Sequence, residues 1–271
     1  MNKIYVIGDL HQQFQPIRDF YTYMNSSIPL DETDIIICLG DFGANFFFDY
    51  RDSNFKKKIS RYKCNFFVIR GNHEERPSIC AETAPTEWTK EKFFENDVWV
   101  EKAFPQIKYT MDFPAVYNIK GLKTLIIPGA YSVDKYHRLR NNLTWFEYEQ
   151  LTPEEMEIGL RTIELDENKY DLVLSHTCPM SYQPTDLFLS SVDQSLVDNT
   201  MERYLGGIER NLDYKLWLFG HFHQLRIYPV GDGEYKQMIM LFNNELIDLN
   251  KYFETNNPYD SLIKVHKESE N

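Results

Sequence analysis

The chain is expected to fold as a mixed α/β (α+β) protein with a largely parallel sheet at its centre. Three features predict this: short β-branched runs free of turn residues, helical spacing between the first of them, and similar polar residues just past each run. The first run, residues 3–7, stops at Gly8, and Asp9 and His11 follow. Two positions apart in an extended segment, their side chains point the same way.

Phe14, Ile17, Phe20, Tyr21 and Met24 recur at helical spacing, predicting a helix packed on the first strand. Pro29-Leu30-Asp31 turns the chain into a second run, residues 34–39, which ends at Gly40-Asp41. Residues 43–54 read as loop, with Phe46, Phe47 and Phe48 in a row. Residues 55–62 read as a short helix with Lys56, Lys57 and Lys58 on a solvated face. A third run, residues 64–69, leads into Arg70-Gly71-Asn72-His73-Glu74. This order implies parallel strands whose ends share one edge, where ligands of open α/β sheets gather.

Residues 76–106 are rich in aromatics and proline and give no assignable pattern, while 107–117 predict a strand pair broken at Pro114. A clearer strand spans 122–127 and ends at Pro128-Gly129, and 141–151 read as loop. Thr152 as N-cap and Pro153 at the first position start a helix running to about Leu165. The run 170–174 ends at Ser175-His176. Residues 195–211 predict another helix from Leu196, Met201, Leu205 and Ile208, and 215–219 end at Gly220-His221-Phe222-His223. Closing strands are expected near 226–228, 238–242 and 246–248, with Gly231-Asp232-Gly233 as a turn. One domain is expected over residues 1–250, with a C-terminal tail over 251–271 that is wholly polar from His266.

The 271 residues are 42% hydrophobic and 26% charged, a globular balance with enough chain for a substantial core. Cys38, Cys64, Cys80 and Cys178 show no C-x-x-C pairing, which suits a reducing compartment. A strand starting at residue 3 leaves no room for a signal peptide, and no segment nears the roughly twenty apolar residues of a membrane span. The expected location is therefore the cytoplasm, without a membrane. A net charge of −12 argues against non-specific nucleic-acid binding, which needs clustered Lys and Arg.

Five of the seven histidines follow an apolar run, alongside Asp9, Asp41 and Asn72. Charged groups are too costly to gather beside buried strands without something to bind. Asp, Asn and His without Cys form a mixed oxygen and nitrogen donor set suited to manganese, iron, zinc or nickel. These are too many donors for one ion. They suit two divalent ions bridged by a carboxylate, about 3.5–4 Å apart.

As a set, Gly8-Asp9-Leu10-His11, Gly40-Asp41, Gly71-Asn72-His73-Glu74, His176 and Gly220-His221-Phe222-His223 resemble the calcineurin-like metallophosphoesterases, in their order. Gly129-Ala130-Tyr131-Ser132-Val133-Asp134-Lys135 and Ser175-His176-Thr177-Cys178-Pro179 are similar to a bacterial and phage branch of that superfamily. The resemblance implies a four-layer α/β/β/α sandwich with the site on strand-end loops. It implies that Asp9, His11, Asp41 and His223 hold one metal, and that Asp41 bridges to a second held by Asn72, His176 and His221, with manganese the first choice. A hydroxide shared by the ions would attack phosphorus in line, and His73, facing the substrate, would protonate the leaving alkoxide. Phosphomonoesters are expected ahead of phosphodiesters or nucleotide pyrophosphates, with a non-catalytic metal-bound scaffold as the alternative of another class. The substrate would be a phosphorylated small molecule, nucleotide or protein.

Where protein Ser/Thr phosphatases of the superfamily carry D-R-G, this chain has Ala44 and Asn45. That weakens the protein-phosphatase reading and leaves His73 without an identified orienting partner. Phosphate-gripping cations are then expected from Lys135 and Arg138, beside His137 and Arg140 on a loop after a strand. The competing reading pairs this cluster with Glu147, Glu149 or Glu154 on the surface. Phe46, Phe47 and Phe48 either stack on a nucleobase or cap the core, and the core is favoured.

Overall fold

The computed structural model describes residues 2–26, 29–190, 192–230 and 236–265. Alternation along the strands builds its layers. In β1 (Ile4–Ile7), Ile4 and Val6 join one core cluster and Tyr5 and Ile7 another, and all four are buried. A strand buried on both faces reads as a continuous apolar run, and this one does.

β1 pairs in parallel with β2 (Ile35–Cys38), and β2 with β3 (Asn65–Val68). The crossovers carry α1 (Gln15–Asn25) and α2 (Tyr50–Ile59). After α3 (Pro77–Thr83) come an antiparallel hairpin, β4 (Trp88–Phe93) and β5 (Asn96–Glu101), and then β6 (Ile107–Tyr109). β7 (Ala115–Ile119) and β8 (Leu122–Ile127) open a second sheet, followed by α4 (Lys135–Arg140), α5 (Pro153–Leu165), β9 (Lys169–Ser175), α6 (Thr200–Glu209) and β10 (Asp213–Phe219). β11 (Arg226–Val230) and β12 (Lys236–Met240) complete it. β13 (Glu245–Asp248), α7 (Leu249–Thr255), α8 (Pro258–Ser261) and β14 (Leu262–Lys264) return to the first sheet. Strand order is β14-β13-β1-β2-β3-β6-β5-β4 in one sheet and β11-β12-β10-β9-β8-β7 in the other.

The two sheets bury Val6, Ile37, Phe67, Leu172 and Leu218 between them. Ile17, Phe20 and Phe55 of α1 and α2 pack on the outer face of the first sheet, and Ile163 and Leu205 of α5 and α6 on that of the second. This is the expected α/β/β/α sandwich. No helix among the described residues is long and apolar enough to cross a membrane.

Several boundaries differ from expectation. α2 begins at Tyr50, capped by Asp49, because the Asp52 carboxylate collects the backbone N–H groups of Phe46, Phe47 and Phe48 and closes the loop early. Lys56 is not on a solvated face: it is buried, with Nζ 2.5 Å from Glu101 and 2.9 Å from the Asn45 amide oxygen. β6 and β7 are not a pair but lie in different sheets, the chain crossing between them near Pro114. The β4–β5 hairpin turns at Phe94 and Glu95, both at positive φ, without the Asn-Gly signature that reveals such turns. α6 starts only at Thr200. The basic cluster forms the short helix α4 rather than a loop. The tail expected from 251 contains most of α7, α8 and β14, which pairs with β13. The expected turn at Gly231 to Gly233 and the polar end from His266 lie outside the described residues.

Candidate metal centre

Sheet register sets the level at which the site loops begin. Ile7 is opposite Cys38, Cys38 opposite Val68, and Ser175 opposite Phe219. Past these ends come Asp9 and His11, then Asp41, Asn72 and His73, His176, and His221 and His223. The loops are tied together: the His11 N–H donates to the Asp41 carbonyl (2.7 Å), and that of Gly220 to the His176 carbonyl (2.9 Å). His11, Asp41, His221 and His223 have φ of 46°, 47°, 70° and 54°. Left-handed backbone is uncommon in residues other than glycine and persists where the surroundings impose it, often at functional sites. Glycine is required at two neighbouring positions. A Cβ on Gly40 would stand 2.1 Å from His176 Nδ1, and one on Gly71 2.1 Å from Asp41 Oδ1.

Asp9, Asp41, Asn72 and His176 are buried. The His176 Nδ1–H donates to the Leu39 carbonyl (2.7 Å), which leaves Nε2 facing Asn72 Oδ1 at 2.9 Å and Asp41 Oδ2 at 3.6 Å. The same Asp41 oxygen is 3.7 Å from His11 Nε2, and His11 Nε2 is 2.9 Å from His223 Nε2. Burial pushes Asp9 up to about 7 and His11 down to about 4. Burial would also raise Asp41, but the His176, His73 and His11 imidazoles hold it well below the usual carboxylate range. Burial opposes charge on His176 too, yet Asp41 and Asp9 carry it up to about 9.

This donor set fits cations. Asp9, His11 and His223 converge in one group, and Asp9, Asp41 and His176 in another. Asp9 is common to both groups, while Asp41 Oδ2 lies within 4 Å of an imidazole nitrogen on each side. Backbone strain, cleared glycine positions and mutually facing donors together make a cradle for positive charge.

Supporting residues hold the donors in place. Asn72 donates through Nδ2 to Ser132 Oγ (2.9 Å), and Ser132 donates to Glu149 Oε2 (2.5 Å), which also accepts from Trp145 Nε1. Glu149 is therefore a buried anchor of the centre rather than a surface partner of the basic cluster. The Arg70 guanidinium, buried at 2% exposure, donates to the carbonyls of Gly71 and Glu149 and joins their loops. Glu74 braces the loop after Asp41 through the N–H groups of Gly43 and Ala44, and burial pushes its pKa up to about 8. No local sequence pattern assigns a role to Arg70 or Glu74, and Glu149 enters the sequence reading only as one of three surface partners in the competing reading of the basic cluster.

The centre opens into a cavity of about 680 Å³. His73 lies on it, its N–H donating to Asp41 Oδ1 (2.8 Å) and its ring beside those of His11 and Phe46. Asp134 and Arg138 share that wall, with Arg138 Nε donating to Asp134 Oδ2 (2.7 Å) and Nη1 to the Thr144 carbonyl. Lys135 is not on the cavity wall; its ammonium sits 4.3 Å from the centroid of the Trp145 ring. Asn45, in the D-R-G position, turns to Lys56 instead of the site. Phe46 and Phe47 line the cavity and Phe48 is exposed, so the triple-Phe run does not cap the core.

The model of the calcineurin-like phosphoesterase family matches residues 2–225. No curated protein sequence matches the chain. One solved structure superposes with a TM-score of 0.54 at 12% identity, covering 98% of this chain and 99% of that one, and shows the same fold. Similar at lower TM-scores are a phosphopantetheinyl hydrolase from Mycobacterium tuberculosis (0.46, 14% identity, 100% and 98% covered) and a dimetal phosphatase from Danio rerio (0.47, 9%, 91% and 94%). The chain belongs to the calcineurin-like phosphoesterase family, whose members are metal-dependent hydrolases of phosphate esters.

Proposed function

We propose that the protein is a two-metal phosphomonoesterase acting on small phosphate esters. The observation that carries this is Asp41 Oδ2, 3.7 Å from His11 Nε2 and 3.6 Å from His176 Nε2, in position to be shared by two cations. Asp9, His11 and His223 would hold one and Asn72, His176 and His221 the other, with manganese taken first, as the family resemblance implies, among the manganese, iron, zinc or nickel that this oxygen and nitrogen set suits. Divalent cations there would supply Lewis acidity and lower the pKa of a water. The chain's own residues do the rest. The Asp41 carboxylate fixes the His73 backbone, so the imidazole is presented to the cavity from a rigid support. There it would give a proton to the departing alkoxide. Arg138, aligned by Asp134 and Thr144, would orient the phosphate oxygens.

One observation favours a phosphodiesterase instead. Asp134 already engages Arg138, which lowers the net positive charge facing the substrate and suits a monoanionic diester better than a dianionic monoester. Steady-state rates of the manganese-loaded protein on matched mono- and diesters decide between them. In the monoesterase, His73→Asn slows alkyl esters about 10²–10⁴-fold and activated aryl esters far less. Equal losses on both would remove His73 from proton transfer, and a preference for the diesters would establish the second reading.

A further inference from the structure

The centre fills only one end of its cavity, whose volume of about 680 Å³ lies in the range of sites that enclose a drug-sized organic molecule. The far end is walled by the chain between β9 and α6, which brings Leu187, Phe188, Leu189, Val192 and Val197 to it. Phe188 lies nearly parallel to Phe222 (6.4 Å between centroids, 22°), and Phe222 packs edge-on against His221 at 4.9 Å. An apolar strip thus starts beside a histidine of the centre at Phe222 and continues through Phe188, with Gln183, Gln194 and Asn199 among its polar neighbours on the wall. Leu189 at its outer end is 62% exposed, apolar surface that nothing in the chain covers among the described residues.

Charge points the same way. Apart from the donor residues and His73, the charged groups on the wall are Arg138, Asp134, Asp198 and Glu202. Asp134 engages Arg138, so no unengaged lysine or arginine lines the cavity among the described residues. A second anionic group on a substrate would meet carboxylates and phenyl rings.

Building on the phosphoester-hydrolase reading above, we infer that the favoured substrate is a phosphate ester of a bulky, uncharged, largely apolar alcohol, whose organic part lies along Phe222, Phe188 and Leu189. A nucleoside di- or triphosphate brings charges that this wall does not match. The apolar group gains by leaving water, and the phosphate is held next to the donor cluster and Arg138, the cationic side of the cavity among the described residues.

n-Alkyl phosphates from ethyl to octyl test this with the manganese-loaded full chain. Their leaving alcohols are nearly equal in acidity, so chain length reports burial rather than chemistry. The expected result is a rise in kcat/KM of up to about fourfold per methylene until the wall is covered. Leu189→Asp and Phe188→Ser should each lower the octyl-to-ethyl ratio by about tenfold, and ADP should be a poorer substrate than octyl phosphate. A flat dependence on chain length, or ADP as the best substrate, overturns the inference while leaving hydrolysis intact. If no ester is turned over with metal bound, the hydrolase reading falls and the inference with it.

Discussion

The two ends of the cavity are built by different means. At the metal end, five loops leave strands whose ends are level within each sheet, and the donors are tied by backbone hydrogen bonds and strained φ angles. At the far end, the wall is a stretch of short single turns carrying exposed leucines. Sheet register positions the first, and side chains of an irregular segment compose the second. The contrast separates chemistry from selectivity. Changes at the metal end should remove turnover on every substrate, whereas changes at the far end should alter which substrate is preferred.

The largest expected effect comes from Asp41→Asn. If Asp41 is shared, this variant loses both ions and nearly all metal-dependent turnover, while His223→Ala keeps one ion and part of the rate. Elemental analysis beside kinetics checks it. An Asp41→Asn protein with two ions and full rate would remove Asp41 from the centre.

Smaller effects should come from residues one layer out. Ser132→Ala breaks the link from Asn72 to Glu149 and should weaken metal affinity about 10- to 100-fold with the fold retained. Arg138→Ala should leave metal content unchanged and lower kcat/KM about ten- to a hundredfold, the worth of a lost charge-assisted hydrogen bond. Lys135→Ala, off the cavity wall, should do less. Metal titration and kcat/KM on the same preparations separate the two layers. If Ser132→Ala changed kcat/KM at saturating metal while affinity held, its assigned support of Asn72 would be wrong.

The contrast also governs what could be read from the chain. Asp9, His11, Asp41 and the rest were legible because each follows an apolar run, and a strand end leaves little doubt where the next side chains go. The parallel order of β1, β2 and β3 was legible for the same reason. Glu149 was not, because its role depends on folding back over Ser132 and Trp145, contacts that no local pattern encodes. Lys56 sits in a lysine run that looks solvated, and its burial follows from Glu101 on a distant hairpin. Phe188 and Leu189 lie in a segment with neither helical nor strand period, so their place beside Phe222 needed the tertiary structure.

The smallest expected effect is on stability, and it is a matter of pH. In chelator-treated protein, Asp9, Glu74 and His176 have pKa values raised to about 7, 8 and 9. A group with a raised folded pKa stabilises below its unfolded value, and that stability is lost as pH rises through the folded one. His11, lowered to about 4, acts in the opposite sense only between about 4 and 6.5. From pH 6.5 to 9 the Tm of the metal-free protein should therefore fall. Metal binding favours deprotonated ligands, so the gain in Tm on adding manganese should widen over the same window. A metal-free Tm that climbs from pH 6.5 to 9 would mean that these groups are not buried together as described.

The central claim is that the clustered donors hold two cations and that ester hydrolysis depends on them. Titrating manganese into chelator-treated protein, with bound metal and phosphate release followed in one experiment, tests it most directly. The account predicts saturation at two ions per chain, with hydrolysis appearing as the second site fills. Saturation at one ion, or full hydrolysis before any metal is added, would contradict it.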